Sequence, residues 1–542
     1  MSFGQKMNTK GKMIVTIVVS FGVFLFLALM IFYPFCYDHA KFAVGGEMAI
    51  KHGAIAYYDF IDTAQQFIFW IYGMSLFIFG HHEWAIRAFD ILYHVVALFI
   101  FYRVLRRFLR DETVAVATVI IYCLLYVTGG IDNTALVETF AFLPSIMILY
   151  YTERGIEENN AVKYGVYSGL WAGILLFLKF TLLTVSVSAI IYLILNRPYK
   201  RRNLVRFSLG HIASLLFCAL LYVLYLYANG ALPKFLEAMQ WLRYYSNSSY
   251  VYLGELIPAH GYHLLTPTHF LHAFGMTFTI MLSTAIFLVL YNNNSLPRIY
   301  MHLVIQLFAG LMMIYYEHRS VEYHYTRLYF AAVPLIAFCA VTNIRIIVRL
   351  FKKWKTYGIF QMLLRLSILS VVVIITLVYS PITRISKPMD LASLVVSGRN
   401  YEQEIQNHIT EYYYKEIRTV SDTLRTIMKP TDEIFVWGES AGIYFYLNRL
   451  PTTICFESLP LSDPGFIQPS WRSNVLHSLQ AQPPRYFIAQ IPENSYTEAT
   501  MFVPGLDENR PIKVWPELYD YVQMNYRERN VIGHFRIFEL KK

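Results

Sequence analysis

Tyr33-Pro34-Phe35-Cys36-Tyr37-Asp38-His39 closes an apolar run at 13–33 and brings one of the first ionisable groups after it. The run is long enough to cross a hydrocarbon layer of about 30 Å as a helix. Asp38 therefore falls at the lip of an apolar bundle, where a carboxylate is a functional candidate by default. Downstream lies a polar stretch through Gly53, Tyr57-Tyr58-Asp59 and Asp62, then an apolar segment at 67–80 ending in Phe79-Gly80, then Arg87 inside the next span.

Composition supports the same class. Hydrophobic residues make up 56% of the 542 and charged residues 15%, against about 25% charged in an ordinary soluble domain, and mean hydropathy is +0.41. Such a surface requires lipid. Tyrosines such as Tyr33, Tyr37, Tyr57 and Tyr58 gather at span ends, where amphipathic rings prefer the interface.

Apolar runs of span length place crossings near 13–33, 84–107, 113–129, 134–152, 164–179, 181–196, 207–228, 268–291, 298–316, 327–347 and 358–380, about eleven in all. The break near Lys179-Phe180 divides a stretch too long for one crossing at ~1.5 Å per residue. Cations cluster at Lys6, Lys10 and Lys12; at Arg103, Arg106, Arg107 and Arg110; at Arg197 to Arg206; and at Arg345 to Lys355. All these clusters fall on one side, which the positive-inside rule makes the cytoplasm. The Asp38 loop, the 229–267 and 317–326 loops and everything after Ser380 then face outward. The formal charge of +10 is a topology signal on this reading; no aromatic-interleaved basic groove points to nucleic acid. The first apolar run exceeds a signal-peptide core and is expected to stay as a span.

Further candidates sit at the outward ends of spans. In Gly129-Gly130-Ile131-Asp132-Asn133-Thr134 and the residues after it, Asp132 reads as a second-loop acid or a helix cap, and Glu138 as an acid just within the membrane boundary. Lys179 lies between two apolar runs, able to meet a phosphate as a point charge or to snorkel. Glu322-Tyr323-His324-Tyr325-Thr326-Arg327 brings an imidazole and a guanidinium to the outer lip, and arginine pairs with phosphate bidentately. His260, His263, His269 and His272 are spaced around Pro267 in a way that strains a single tetrahedral zinc site. Ligand spacing thus indicates no metal, leaving a divalent cation open. A disulfide between Cys36 and Cys455, the two cysteines outside the spans, is conceivable only if the fold brings them together.

These residues resemble the GT-C glycosyltransferases, most closely the polyprenyl-phosphate-sugar branch with the protein O-mannosyltransferases and the lipid A aminoarabinose transferase. The resemblance is carried by Asp38, Gly53, Tyr58-Asp59, Phe79-Gly80, Ala85-Ile86-Arg87 and the His324-Tyr325 entry to a late span. His39 and Gln65-Gln66 stand where many members have Glu and Lys-Pro-Pro or His-Pro. The resemblance implies a sugar transferred with inversion from a polyprenyl-phosphate donor to a lipid, glycan or protein acceptor outside a bacterial inner membrane. Asp38, Asp59 and Glu138 would be the catalytic acids; Lys179, His324, Tyr325 and Arg327 would meet the donor phosphate. A transporter or flippase for a lipid-linked sugar is the alternative, and predicts inverted repeats and interrupted helices at the midplane.

Past Ser380 the composition turns mixed and polar, so residues 1–380 form the membrane domain, with an outer loop at 34–83, and 381–542 a soluble α/β domain. Helices are expected at 400–428 and 440–448, strands at 433–437, 452–456, 485–490 and 534–540. Gly438-Glu439-Ser440-Ala441-Gly442, with Asp507 and His534 behind it, has the order of a hydrolase nucleophile elbow. No Gly-rich oxyanion loop precedes it, and a tight turn favours small residues regardless, so esterase chemistry is not the expectation.

Overall fold

The computed structural model describes residues 21–62, 64–158, 160–196, 200–243, 267–292, 295–317, 322–352, 389–390, 393, 414–458, 461, 469–490 and 515–542. The expected span at 358–380, His260, His263 and Asp507 lie outside them. Helix α1 (Phe21–Phe32) stops where Tyr33 turns extended at φ −76°, ψ 123°, the conformation that Pro34 imposes on its predecessor. The chain then bends by 85° into α2 (Tyr37–Lys51). The stretch from Asp38 to Lys51, expected as a polar loop, is therefore a helix. Its first turn is closed by the Cys36 amide, which donates to His39 Nδ1 at 3.0 Å.

Helix α3 (Gln66–Phe79) packs on α2, followed by α4 (Glu83–Leu109) and α5 (Glu112–Thr128). The 134–152 span is realised as a turn, a short α6 (Val137–Phe140) and α7 (Phe142–Glu157). Helix α8 (Ala161–Leu178) ends at the expected break, where Lys179 is extended, and α9 (Thr184–Leu195) begins after one 3-10 turn. Then come α10 (Arg201–Ala228), α11 (232–243), α12 (Pro267–Tyr291), α13 (Ile299–Tyr316) and α14 (Tyr329–Lys352). Among the described residues five helices are long and apolar enough to cross a membrane, six if the bent α1–α2 pair is counted as one span.

One seam in this bundle is written in glycines. Gly165, Gly169 and Gly173 lie a helical turn apart on α8, and a Cβ on either of the first two would overlap the carbonyl of Phe207 or His211 on α10. Small residues let helix backbones approach closely where lipid offers no hydrophobic drive to associate.

The two ends of the bundle differ. At 27 residues, α4 spans about 40 Å. At its far end Arg107 pairs with Glu157 at 2.9 Å, and Arg345 with Asp111, the cap of α5, at 2.6 Å, so charged residues of α4, α5, α7 and α14 pair there. At its near end Glu83 accepts from the Tyr414 hydroxyl at 3.0 Å, placing the C-terminal domain beside the 34–83 segment. That domain carries α15 (Tyr414–Ile427), β1 (Ile434–Trp437), α16 (Gly442–Leu447), α17 (Pro469–Ala481), β2 (Tyr486–Gln490), α18 (Pro516–Asn525), β3 (Tyr526–Ile532) and β4 (Phe535–Leu540). Its sheet order is β1-β2-β4-β3; β1 runs parallel to β2, with Val436 beside Ile488, and the other pairs are antiparallel.

Two expectations for this domain need correcting. Residues 452–456 are not a strand: the Ile454 carbonyl accepts instead from the Ile61 amide of the outer segment at 2.7 Å, and the Thr453 hydroxyl bonds the Cys455 carbonyl. Strand β3 falls where the sequence reading placed no element. Cys36 and Cys455 are both buried and are not joined in a disulfide.

Candidate active site

Asp38 occupies the first turn of α2, and Lys41, one turn on, lies 2.9 Å from its carboxylate. Two further acids approach the same ammonium: Asp62 at 3.8 Å and Glu457 of the C-terminal domain at 3.9 Å. Burial disfavours the ammonium, but Asp38, Asp62 and Glu457 outweigh it and hold Lys41 well above the usual lysine range. Burial also pushes Glu457 well above the usual carboxylate range, against the pull of Lys41. Among the three carboxylates the Asp38 side chain is 25% exposed, whereas Asp62 and Glu457 are at 2% and 9%. Only Asp38 of these three is open to a reacting partner.

Asp59 joins neither this group nor the next. Its carboxylate accepts from the Ile55 amide at 2.7 Å, closing the turn in which Tyr57 adopts φ 72°. That turn is braced from α11, where Lys234 donates to the Tyr58 carbonyl at 2.9 Å.

The second polar centre gathers the ends of three separate segments, at the same end of the bundle as Asp38. Glu138, in the first turn of α6, lies 2.8 Å from Lys179 and 3.3 Å from both His324 and Arg327. Glu317, just past α13, faces the same cations, at 3.5 Å from Lys179 and 3.1 Å from His324. Arg327 takes both of its carboxylate oxygens. Lys179 is 30% exposed here while Arg327 is at 4%. Tyr325 is buried next to them in sequence, on the 3-10 turn Glu322–Leu328. Asp132 lies on the 3-10 turn Ile131–Asn133, before Glu138.

Arg87 ties the two centres together. Fully buried, it donates to the Pro34 carbonyl at 2.8 Å, to Thr134 Oγ1 at 2.7 Å and to His39 Nδ1 at 3.0 Å. His39 Nδ1 thus accepts twice, from Arg87 and from the Cys36 amide, and its Nε2–H donates to the Thr134 carbonyl at 2.7 Å. Burial, and then Arg87, hold His39 well below the usual histidine range, consistent with this neutral tautomer. The Ala85-x-Arg87 pattern is thereby a staple between the turn after α1 and the 130–136 turn, and fixes the helix bearing Asp38 relative to the turn leading to Glu138.

Sequence reasoning brought forward Asp38, Glu138, Lys179, His324 and Arg327, and the fold assembles the last four. It missed Lys41, Glu317 and Glu457. Glu317 had a usable signal, an acid at the outward end of an apolar run, the same criterion that singled out Glu138. Glu457 had none, since nothing local ties it to α2.

The Gly438-Glu439-Ser440 turn is no nucleophile elbow. The Ser440 hydroxyl donates to Gln490 Oε1 at 2.9 Å, which also accepts from the Glu439 amide, and His534 Nδ1 meets Glu416 at 2.8 Å. Among the described residues no group of three or more His, Cys, Asp or Glu side chains is arranged to hold a metal ion.

The sequence profile of the dolichyl-phosphate-mannose-protein mannosyltransferase family matches residues 66–227. No curated protein sequence matches the chain significantly. Among solved structures, ArnT from Cupriavidus metallidurans bound to undecaprenyl phosphate superposes with a TM-score of 0.56 at 10% identity, over 98% of each chain. The oligosaccharyltransferase of Archaeoglobus fulgidus in its apo form gives 0.52 at 12% identity, over 88% of this chain and 69% of the other. At such identities the likeness speaks to architecture, and with the family match inside the bundle it gives the conclusion that this chain has the membrane fold of the GT-C glycosyltransferases.

Proposed function

We propose that the protein is a glycosyltransferase that moves a sugar, with inversion, from a polyprenyl-phosphate carrier to an acceptor hydroxyl on the outward face of a membrane. The observation that carries this reading is a division of labour between the two polar centres. Asp38 is the one accessible carboxylate beside Lys41, suited to take a proton, because an ionised carboxylate only accepts hydrogen bonds. The Glu138–Glu317 centre holds Lys179, Arg327 and His324 at the outward ends of spans, where a lipid phosphate would lie. Lys179, the more exposed of its two permanent cations, is the group to receive the departing phosphate; preset charges of this kind stabilise a leaving anion without reorganising. Glu138 then serves to orient Lys179 and Arg327 rather than to move a proton. Asp59 shapes its own turn.

The family match and the undecaprenyl-phosphate complex of the similar ArnT support a lipid-phosphate donor. A transporter of lipid-linked sugars needs neither an exposed base nor a soluble domain packed against it. Purified protein in vesicles, given radiolabelled polyprenyl-phosphate sugars and candidate lipid, glycan and peptide acceptors, decides the matter. Label appearing in acceptor supports transfer; label crossing the bilayer while still on the carrier supports the transporter.

A further inference from the structure

Three acids converge on Lys41, a residue to which the proposed transfer has so far given no part. Its ammonium is shut away, the side chain being 8% exposed, and lies over the rings of Tyr37 and Phe42 at 5.7 and 5.1 Å. The carboxylates around it come from three places in the chain: Asp38 from its own helix, Asp62 from the segment before α3, and Glu457 from the C-terminal domain. Only the Asp38 contact, at 2.9 Å, is a hydrogen-bonding distance; Asp62 and Glu457 stand behind the ammonium at 3.8 and 3.9 Å. Arranged so, a buried cation has one hand on the exposed acid and is held from behind by two acids that solvent barely reaches.

We propose that Lys41 is a positioning residue for Asp38, and that Glu457 gives the C-terminal domain a direct part in the transfer step by holding Lys41 in place. This rests on the reading of Asp38 as the base. The physical reason is geometric. Asp38 stands on the first turn of a helix, with a side chain free to rotate toward water unless something fixes it, and misplacing a reacting group by about 1 Å can cost on the order of 10²-fold in rate. Lys41, one turn along the same helix, fixes one carboxylate oxygen and leaves the other to meet the acceptor. Helix α2 alone would give an exposed i,i+3 pair, which holds geometry weakly in water. Docking of the C-terminal domain helps to cover Lys41 while leaving Asp38 open. The contacts that do so are the Ile61–Ile454 backbone hydrogen bond at 2.7 Å and the Phe60–Phe456 ring contact at 5.8 Å, close in sequence to Asp62 and Glu457.

The test is steady-state transfer by the full-length protein in vesicles, with donor affinity measured separately. Lys41→Met is expected to lower kcat by ~10- to 100-fold while the KM for donor stays within about twofold; Lys41→Gln reads the same property should the first variant fold poorly. Lys41→Arg, which keeps the charge, is expected to recover most of the rate. In the double variant Asp38→Asn with Lys41→Met, the rate is expected to equal that of Asp38→Asn alone, since two residues acting as a unit are not additive. Glu457→Leu is expected to lower kcat several-fold, again with donor KM held. Normal kcat in folded Lys41→Met or Lys41→Gln, or multiplicative losses in the double variant, would overturn the role of Lys41. An unchanged kcat in Glu457→Leu would remove the C-terminal domain from it. The two levels separate cleanly: normal transfer by Asp38→Asn sinks the reading of Asp38 as base, whereas an inactive Asp38→Asn beside a normal Lys41→Met sinks only this inference.

Discussion

Arg327 grips Glu317 with both arms of its guanidinium, Nη1 donating to Oε1 at 2.9 Å and Nη2 to Oε2 at 2.7 Å. This fork, with Arg327 at 4% exposure, makes it a structural cation as much as a ligand-binding one, while Lys179 beside it keeps a face to solvent. The two cations are therefore expected to respond differently to removal. Lys179→Ala should weaken binding of a polyprenyl-phosphate donor by about 1.5–3 kcal/mol, the worth of a hydrogen bond to a charged group, with thermal stability nearly unchanged. Arg327→Ala removes the bidentate partner of buried Glu317, leaving it and Glu138 to share Lys179, and should cost about 3–5 kcal/mol of stability, as breaking a buried pair does. Donor titration and thermal melts in detergent check both; equal melting temperatures for the two variants would contradict the assignment.

Asp38→Asn keeps shape and hydrogen bonding but cannot take a proton. Transfer is expected to fall by at least about 10²-fold, the lower end for losing a general base, with donor binding retained. Asp59→Asn should be milder, because that carboxylate serves only the Ile55 amide in its own turn as far as the site is concerned. Near-normal transfer by Asp38→Asn in an assay with a confirmed donor and acceptor would shift the base to Glu138.

His81 gives a pH dependence of stability whose sign can be worked out. Its Nε2 lies 2.9 Å from the Phe445 carbonyl and its Nδ1 3.1 Å from the Glu47 carboxylate, a charge contact that favours the protonated ring. Burial lowers the pKa, but Glu47 and the Phe445 carbonyl outweigh it and the pKa stands above the ordinary value of 6.5. A histidine raised in this way stabilises fully below its unfolded value and loses that contribution as pH rises through the folded one. The melting temperature of the detergent-purified protein should fall as pH is raised from 6.5, and His81→Gln should flatten that slope. An identical slope in the variant would remove His81 as its source.

On the α8–α10 seam, a side chain at Gly169 meets the His211 carbonyl, backbone that cannot swing aside, whereas one at Gly173 meets the Cys218 side chain. Gly169→Ala is expected to destabilise by ~1–3 kcal/mol, in the range of overpacking, and Gly173→Ala by less. Thermal unfolding of both variants tests the ordering.

Sidedness has its own test. By the positive-inside rule the basic helix ends are expected on the cytoplasmic side and the C-terminal domain on the other. Cysteines introduced at Arg202 and Ser470 in a cysteine-free background should then be labelled from opposite faces of the membrane. Labelling from the same face would overturn that topology.

Among the described residues the apolar runs coincide with helices, because a helix satisfies its backbone within the segment. The break at Lys179 was legible for the same reason: the stretch is too long for one crossing, and the helix does end at Leu178. The C-terminal domain shows where this stops working. Residues 452–456 look like a strand but find their hydrogen-bond partner in the outer segment at Ile61. Strand β3 had no assignment from the sequence, yet the backbone of β4 pairs with it, and Glu539 lies 3.2 Å from Arg527 and 2.8 Å from Arg529. The outward acids and cations could be named from the chain because a charge at a span end is conspicuous. Their division into two centres could not. That Glu138 meets Glu317 through shared cations, and that Asp38 is held by a lysine which the C-terminal domain helps to bury, depends on contacts between residues far apart in the chain. Such contacts follow from how helices and domain pack, and packing is set by the fit of whole surfaces rather than by any local pattern.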